Sequence, residues 1–236
     1  MKKIKIVSCL IVLLSLIVGV CWLYNKEDYN YYLIMGDYVS NSQKFDDKQV
    51  VSFTDMLGEY LLKNNKVKEV NSSYLKNNMT SKSLLSMIEK DAYTVDNSSL
   101  VKLIQKSKYI TITLGINDVL NQIKYDKQQK KLKYDKDVVM QKIDVFKHNY
   151  HQILEEISDI NKDAKVLLVG CYSIYGDSDL SGLINEAVKE VSLDGGYYVD
   201  VGNLDGYLYQ QNGLYLTDMG QEMMYKKVVN FVNQIE

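Results

Sequence analysis

Proline is missing from this chain altogether, and histidine, cysteine and tryptophan are scarce: two, three and one in 236 residues. Without proline there is no Pro-rich linker to divide the chain. The same bias brings 20 tyrosines with abundant Lys, Asn and Ile, the composition of an AT-rich genome. Cys9 and Cys21 fall in an N-terminal apolar stretch, which leaves Cys171 alone in the remainder. An intradomain disulfide is therefore excluded, and a hydrophobic core must carry stability unaided. His148 and His151 stand three apart in an amphipathic pattern, without thiolates or a carboxylate motif beside them, so neither a metal nor another cofactor is expected. A net charge of −2 gives no reason to expect a nucleic-acid partner. What is present, 46% apolar and 25% charged residues, is the composition of a globular protein long enough for one good-sized domain.

The first residues carry a separate message. Lys2, Lys3 and Lys5 precede a charge-free stretch from Ile6 to Tyr24, and Lys26 follows it. About nineteen residues make about 28 Å of helix, close to the thickness of a bilayer's hydrocarbon core. The leading lysines stay in the cytoplasm, so the rest is exported. Val18-Gly19-Val20-Cys21 matches poorly both a small-residue cleavage site and a lipoprotein signal. An uncleaved single-pass anchor is favoured, with a cleaved signal peptide and lipidation as alternatives. The expected division is residues 1–26 as anchor or signal and 27–236 as the domain, on the extracytoplasmic side of the cell membrane or secreted if cleaved.

From residue 31 onward, short apolar runs alternate with helical periodicity. Strands are expected at Tyr31–Met35, Val67–Val70, Tyr109–Leu114, Ala164–Gly170 and Tyr197–Val201. Helices are expected at Ser52–Lys63, Ser81–Glu89, Ser98–Gln105, Asp137–Ile160, Leu180–Val191 and Thr217–Ile235, with Lys124–Lys136 a solvated excursion. This alternation predicts an α/β fold: a five-stranded parallel sheet with helices on both faces, a three-layer α/β/α sandwich. Ligands of such sheets bind beyond the carboxyl ends of the strands.

Three loops stand at that end: Gly36-Asp37-Tyr38-Val39-Ser40, Gly115-Ile116-Asn117-Asp118, and Asn212-Gly213-Leu214-Tyr215-Leu216. In order and placement they resemble the GDS, GxND and DGxHP blocks of the SGNH, or GDSL-type, hydrolases. The resemblance spans roughly residues 31–235. It implies serine esterase chemistry: a nucleophilic serine, a histidine base, an orienting aspartate, and an oxyanion hole that includes the GxND asparagine.

The chain departs from that pattern where the chemistry resides. Tyr38 stands at the serine position, Tyr215 at the histidine, Asn212 at the aspartate, and Asn78 where the resemblance places an oxyanion glycine. Asn117 alone remains. A phenol titrates near 10 and cannot relay protons as an imidazole does. Asn212 has neither charge nor acceptor-only character. The expectation is a catalytically inactive family member, with the degenerate positions Tyr38, Asn78, Asn117, Asn212 and Tyr215.

Gly36, Asp37, Gly115 and Asp118 read either as a retained cleft floor or as structural turns and caps, the second favoured. Ser40 and Tyr172 are further cleft candidates, and Tyr175, Tyr207 and Tyr209 also cluster near it. Binding of a cell-wall glycan, an acyl ligand or a protein partner is the leading function. The alternative is an active esterase using Ser40, and a weaker third reading is a structural membrane component.

Overall fold

In the computed structural model the described residues are 30–45, 48–95, 97–126, 128–129, 131–208 and 213–236. The anchor or signal segment, Tyr209 and Asn212 lie outside them. Five strands form one parallel sheet: β1 Tyr31–Gly36, β4 Glu69–Leu75, β5 Ser107–Thr113, β8 Lys165–Val169 and β9 Tyr197–Val199, in the order β4-β1-β5-β8-β9. Two small antiparallel hairpins stand apart, β2 Gln43–Phe45 with β3 Lys48–Val50, and β6 Lys124–Asp126 with β7 Lys131–Lys133.

The helices are α1 Phe53–Lys63, α2 Ser81–Glu89, α3 Leu100–Lys106, α4 Ile116–Leu120, α5 Lys136–Ile160, α6 Ser178–Val191 and α7 Asp218–Gln234. α1 packs on α7, while α5 touches α2, α3, α4 and α6. This split follows from chain direction. The crossover from β1 to β4 runs one way along the sheet and every later crossover runs the other, so right-handed connections put their helices on opposite faces. The α/β/α sandwich expected from the sequence is the observed fold.

The central strands are apolar because both faces are covered. Leu33, Ile34, Met35, Ile110 and Ile112 are wholly buried. Helix starts are set by short polar side chains. Ser52 accepts from the Asp55 N–H, and Thr80 and Ser83 form a reciprocal capping box.

Two elements differ from expectation. β4 continues through Asn71, Ser72 and Ser73 to Leu75, well past Val70. It is an edge strand paired only with β1, and such a strand keeps one side toward water and tolerates polar residues. Within Lys124–Lys136 the lysine-rich segment folds into the β6–β7 hairpin, clasped by Lys133 Nζ to Asp126 Oδ2 at 2.6 Å.

The strand order reverses direction at β1, so the crevice between the carboxyl ends of β1 and β5 is the switch point where ligands of this architecture bind. Gly36 closes β1 and Gly115 follows β5.

Candidate functional site

Gly36 has φ +136°, and a Cβ there would collide with the Thr113 carbonyl and hydroxyl. The two strand ends are thereby drawn together, and the Asp37 N–H donates to the Thr113 carbonyl at 3.1 Å. Asp37 then caps the 3₁₀ turn Tyr38–Ser40, its Oδ1 accepting from the Val39 N–H at 3.0 Å. The carboxyl is 1% exposed, and its Oδ2 has no partner among the described residues. Burial pushes this acid up to about 7, against the bonds from Val39 and Thr113.

Tyr38 occupies the position that the turn presents to the crevice. Its side chain is turned inward, 3% exposed, and its ring meets Tyr215 edge-on with centroids 5.2 Å apart and planes at 79°. The geometry is the favourable T-shaped pairing of aromatic quadrupoles. The Tyr38 hydroxyl has no partner among the described residues. Burial, then the nearby Tyr172, Asp37, Cys171 and Tyr215, holds it well above the ordinary phenol value. Tyr172 is buried beside it and donates to the Leu214 carbonyl at 2.7 Å, tying the end of β8 to the last block.

Asn117 keeps its identity but has committed its donors. Its Nδ2 donates to the Asn77 carbonyl and to the Met79 carbonyl, each at 3.0 Å. An amide nitrogen carries two hydrogens, so none is left to meet an oxyanion. Asn78 lies in the turn between those two carbonyls and is exposed. Asp118 accepts from the Ser81 N–H at 3.1 Å and from the Ser81 hydroxyl at 2.6 Å, which clamps α4 to the start of α2. Its carboxyl is raised by burial despite those bonds. Gly115, at φ +119°, passes so close to α6 that a Cβ would stand 2.6 Å from Ile184 Cγ2.

Ser40, considered above as a nucleophile, is wholly buried. Its hydroxyl bonds Thr113 Oγ1 at 2.8 Å and its carbonyl accepts from the Thr54 hydroxyl. It sits beneath the crevice because the 3₁₀ turn curls the third residue back onto β5. The two histidines are elsewhere, on α5; His148 is exposed and His151 Nδ1 bonds Asp194 Oδ2 at 2.5 Å. Among the described residues no three metal-type side chains gather.

Several participants carry no motif. Thr113 links Asp37 and Ser40. Asn149 on α5 donates to Ser81 Oγ at 3.0 Å, and Asn185 on α6 brackets the backbone of Cys171. Tyr150, buried on the same helix as Asn149, has a hydroxyl without a partner among the described residues. Periodicity places Thr113 in a strand and Asn149, Tyr150 and Asn185 in helices, and says nothing of which polar atom they meet.

This crevice, at the switch point of a parallel sheet and floored by the Gly115–Asp118 loop, is that of a doubly wound α/β domain. More narrowly, the profile of the GDSL-like lipase/acylhydrolase family matches residues 32–228, and the chain belongs to that family.

Solved structures share the fold at low identity. The lipase Lip_vut3 from a goat rumen metagenome superposes with a TM-score of 0.65 at 18% identity, over 85% of this chain and 96% of that one. A variant of Axe2, an acetyl-xylooligosaccharide esterase from Geobacillus stearothermophilus, gives 0.60 at 14%, over 85% and 93%. A carbohydrate esterase family 3 protein from Talaromyces cellulolyticus gives 0.59 at 10%, over 87% and 97%. Two other Axe2 structures are described as catalytic mutants, one with a serine and one with a histidine replaced by alanine. No curated protein sequence matches the chain.

Proposed function

We propose that this chain is a catalytically silent member of its family, exported and held at the cell envelope, that works by binding a protein partner across its closed cleft. The observation that carries the reading is the Tyr38–Tyr215 pair, two rings in edge contact at the nucleophile and base positions. The engagement of both Asn117 donors supports it independently. A chain that had lost only its nucleophile would still hold a free oxyanion donor there.

A partner is favoured over a small acyl ligand because Tyr38 fills the position where an acyl carbon would be attacked. The ring of Tyr215 against it is half-buried, as are Tyr175 and Tyr207 on neighbouring loops, and Tyr125 stacks on Tyr175 at 4.5 Å. Amphipathic rings at a rim suit a protein contact. A cell-wall glycan lying over the same rim is the alternative occupant. The active-esterase alternative would require the Ser40 hydroxyl to leave Thr113 and reach solvent.

The test is hydrolysis of short activated acyl esters by the purified chain, beside an active family member. Only the uncatalysed background rate is expected. Turnover that disappears in Ser40→Ala would falsify the silent reading.

A further inference from the structure

In a parallel sheet every strand starts at the same edge, and here that edge is the one where the described chain begins. Tyr31 pairs with Glu69 and Ser107, and Tyr109 with Lys165. Asn30 precedes β1, and six residues earlier the sequence ends its charge-free apolar stretch at Tyr24. The cleft lies at the opposite edge.

Lysines crowd this amino edge. Lys66 and Lys68 lead into β4, Lys102 and Lys106 lie on α3, and Lys108 and Lys165 open β5 and β8. Four of them sit over tyrosine rings: Lys106 Nζ is 5.5 Å from the centroid of the half-buried Tyr31 and Lys66 is 5.8 Å from that of the half-buried Tyr60, while Lys108 and Lys165 are 5.2 and 5.8 Å from the buried Tyr109. Lys66 and Lys165 are near enough to Lys108 to help burial lower its ammonium below the ordinary value. Acids are present too. Glu236 pairs with Lys66 and Lys108, Glu69 lies beside Lys68, and Asp163 and Asp194 occupy the adjacent turns. Lys102 and Lys106 are exposed, and with Tyr31, Lys68 and Glu69 they line a groove of about 520 Å³. Beyond them, Leu193, on the turn before β9, is 84% exposed and Tyr197, which opens β9, is 40% exposed.

Lysine beside tyrosine, with an exposed leucine, is the chemistry of a membrane–water interface: cations meet anionic headgroups and amphipathic rings sit at their level. We infer that the amino edge of the sheet docks on an anionic phospholipid surface, seating the domain on the bilayer with its cleft facing away. The inference rests on the membrane placement proposed above. Charge complementarity and the point where the preceding chain joins the domain choose lipid over other occupants.

The experiment uses the full chain in lipid nanodiscs, either phosphatidylcholine alone or phosphatidylcholine with phosphatidylglycerol, and reads backbone hydrogen exchange. Slower exchange is expected around residues 64–69 and 102–109 in the anionic discs. That difference should vanish in high salt and in a Lys102→Gln/Lys106→Gln double variant, since each lysine at such a surface changes apparent affinity about fivefold. Equal exchange in the two lipids, or a difference the variant leaves intact, overturns the inference. Failure of the anchor reads differently: the chain would not be retained on neutral discs, yet would still bind anionic ones. The variant's melting curve, matched to the parent's, shows that folding is not the cause.

Discussion

The two edges of the sheet use the same residue type in opposite ways. At the carboxyl edge, Tyr38, Tyr150 and Tyr172 are buried, and the first two keep hydroxyls with no partner among the described residues. At the amino edge, the half-buried rings of Tyr31 and Tyr60 lie beside the ammonium groups of Lys106 and Lys66, and the buried Tyr109 has its hydroxyl bonded to Glu236. A buried, unpaired phenol costs free energy that its ring must offset by packing. A tyrosine beneath a lysine costs almost nothing and shapes a surface. The carboxyl edge is therefore packed with buried rings, while the amino edge carries half-buried rings beside lysines.

The sharpest way to break this comparison is at Tyr38. Replacing a buried aromatic side chain by alanine ordinarily costs about 3–5 kcal/mol. Relief of the unpaired hydroxyl returns roughly 1–3 kcal/mol of that. Tyr38→Ala should thus destabilise by about 2 kcal/mol, read as a lowered denaturation midpoint. Tyr38→Phe keeps the ring and removes only the orphaned hydroxyl, so it should stabilise by roughly 1 kcal/mol. If both variants destabilise equally, the Tyr38 hydroxyl has a partner and the pocket is not merely filled.

Asp37 gives the next effect, and its sign follows from where its proton sits. The folded carboxyl titrates at about 7 and an ordinary aspartate at 3.8. Between those values the folded chain holds a proton that the unfolded chain has released. Its contribution is therefore fully present below the lower value and is lost as pH rises through the higher one. The penalty above pH 7 is at most roughly 4 kcal/mol. Asp118, raised by the same cause, adds in the same direction. An Asp37→Asn variant can still accept from the Val39 N–H and cannot ionise. It should gain thermal stability at pH 8 and little at pH 4, with a flatter pH profile between. A parent-like profile in the variant would mean that Asp37 carries no proton in the fold.

The fold was legible because it is written in local chemistry. The β-branched run of Tyr109–Leu114, the glycine after it and the Ser52 cap each specify their element without help from distant residues. The three blocks could be placed because they follow strand ends. The polar middle of β4, Asn71 to Ser73, hid its full length, since an edge strand shares the composition of a loop. Ser40 looked accessible in sequence because nothing local shows the turn folding its hydroxyl onto Thr113, 73 residues away. Likewise Asn117 reads as an intact oxyanion donor until its two bonds to the carbonyls of Asn77 and Met79 are seen. Side-chain identity survives in a sequence, but the partner of a hydrogen bond does not.

The smallest effect separates the amino edge most cleanly from the carboxyl one. Lys102 and Lys106 are exposed, and among the described residues Lys106 stands over the Tyr31 ring. Neutralising both to glutamine removes a cation–π contact of about 0.5–1 kcal/mol and otherwise disturbs surface positions that ordinarily change stability by less than about 0.5 kcal/mol. The double variant should melt within a few degrees of the parent in detergent, where no anionic surface competes. A loss as large as that of Tyr38→Ala would make these lysines part of the core's support. A near-silent change in stability, set against a lost response to anionic lipid, would mark them as surface kept for contact. That outcome would separate an edge that the fold needs from one that it presents.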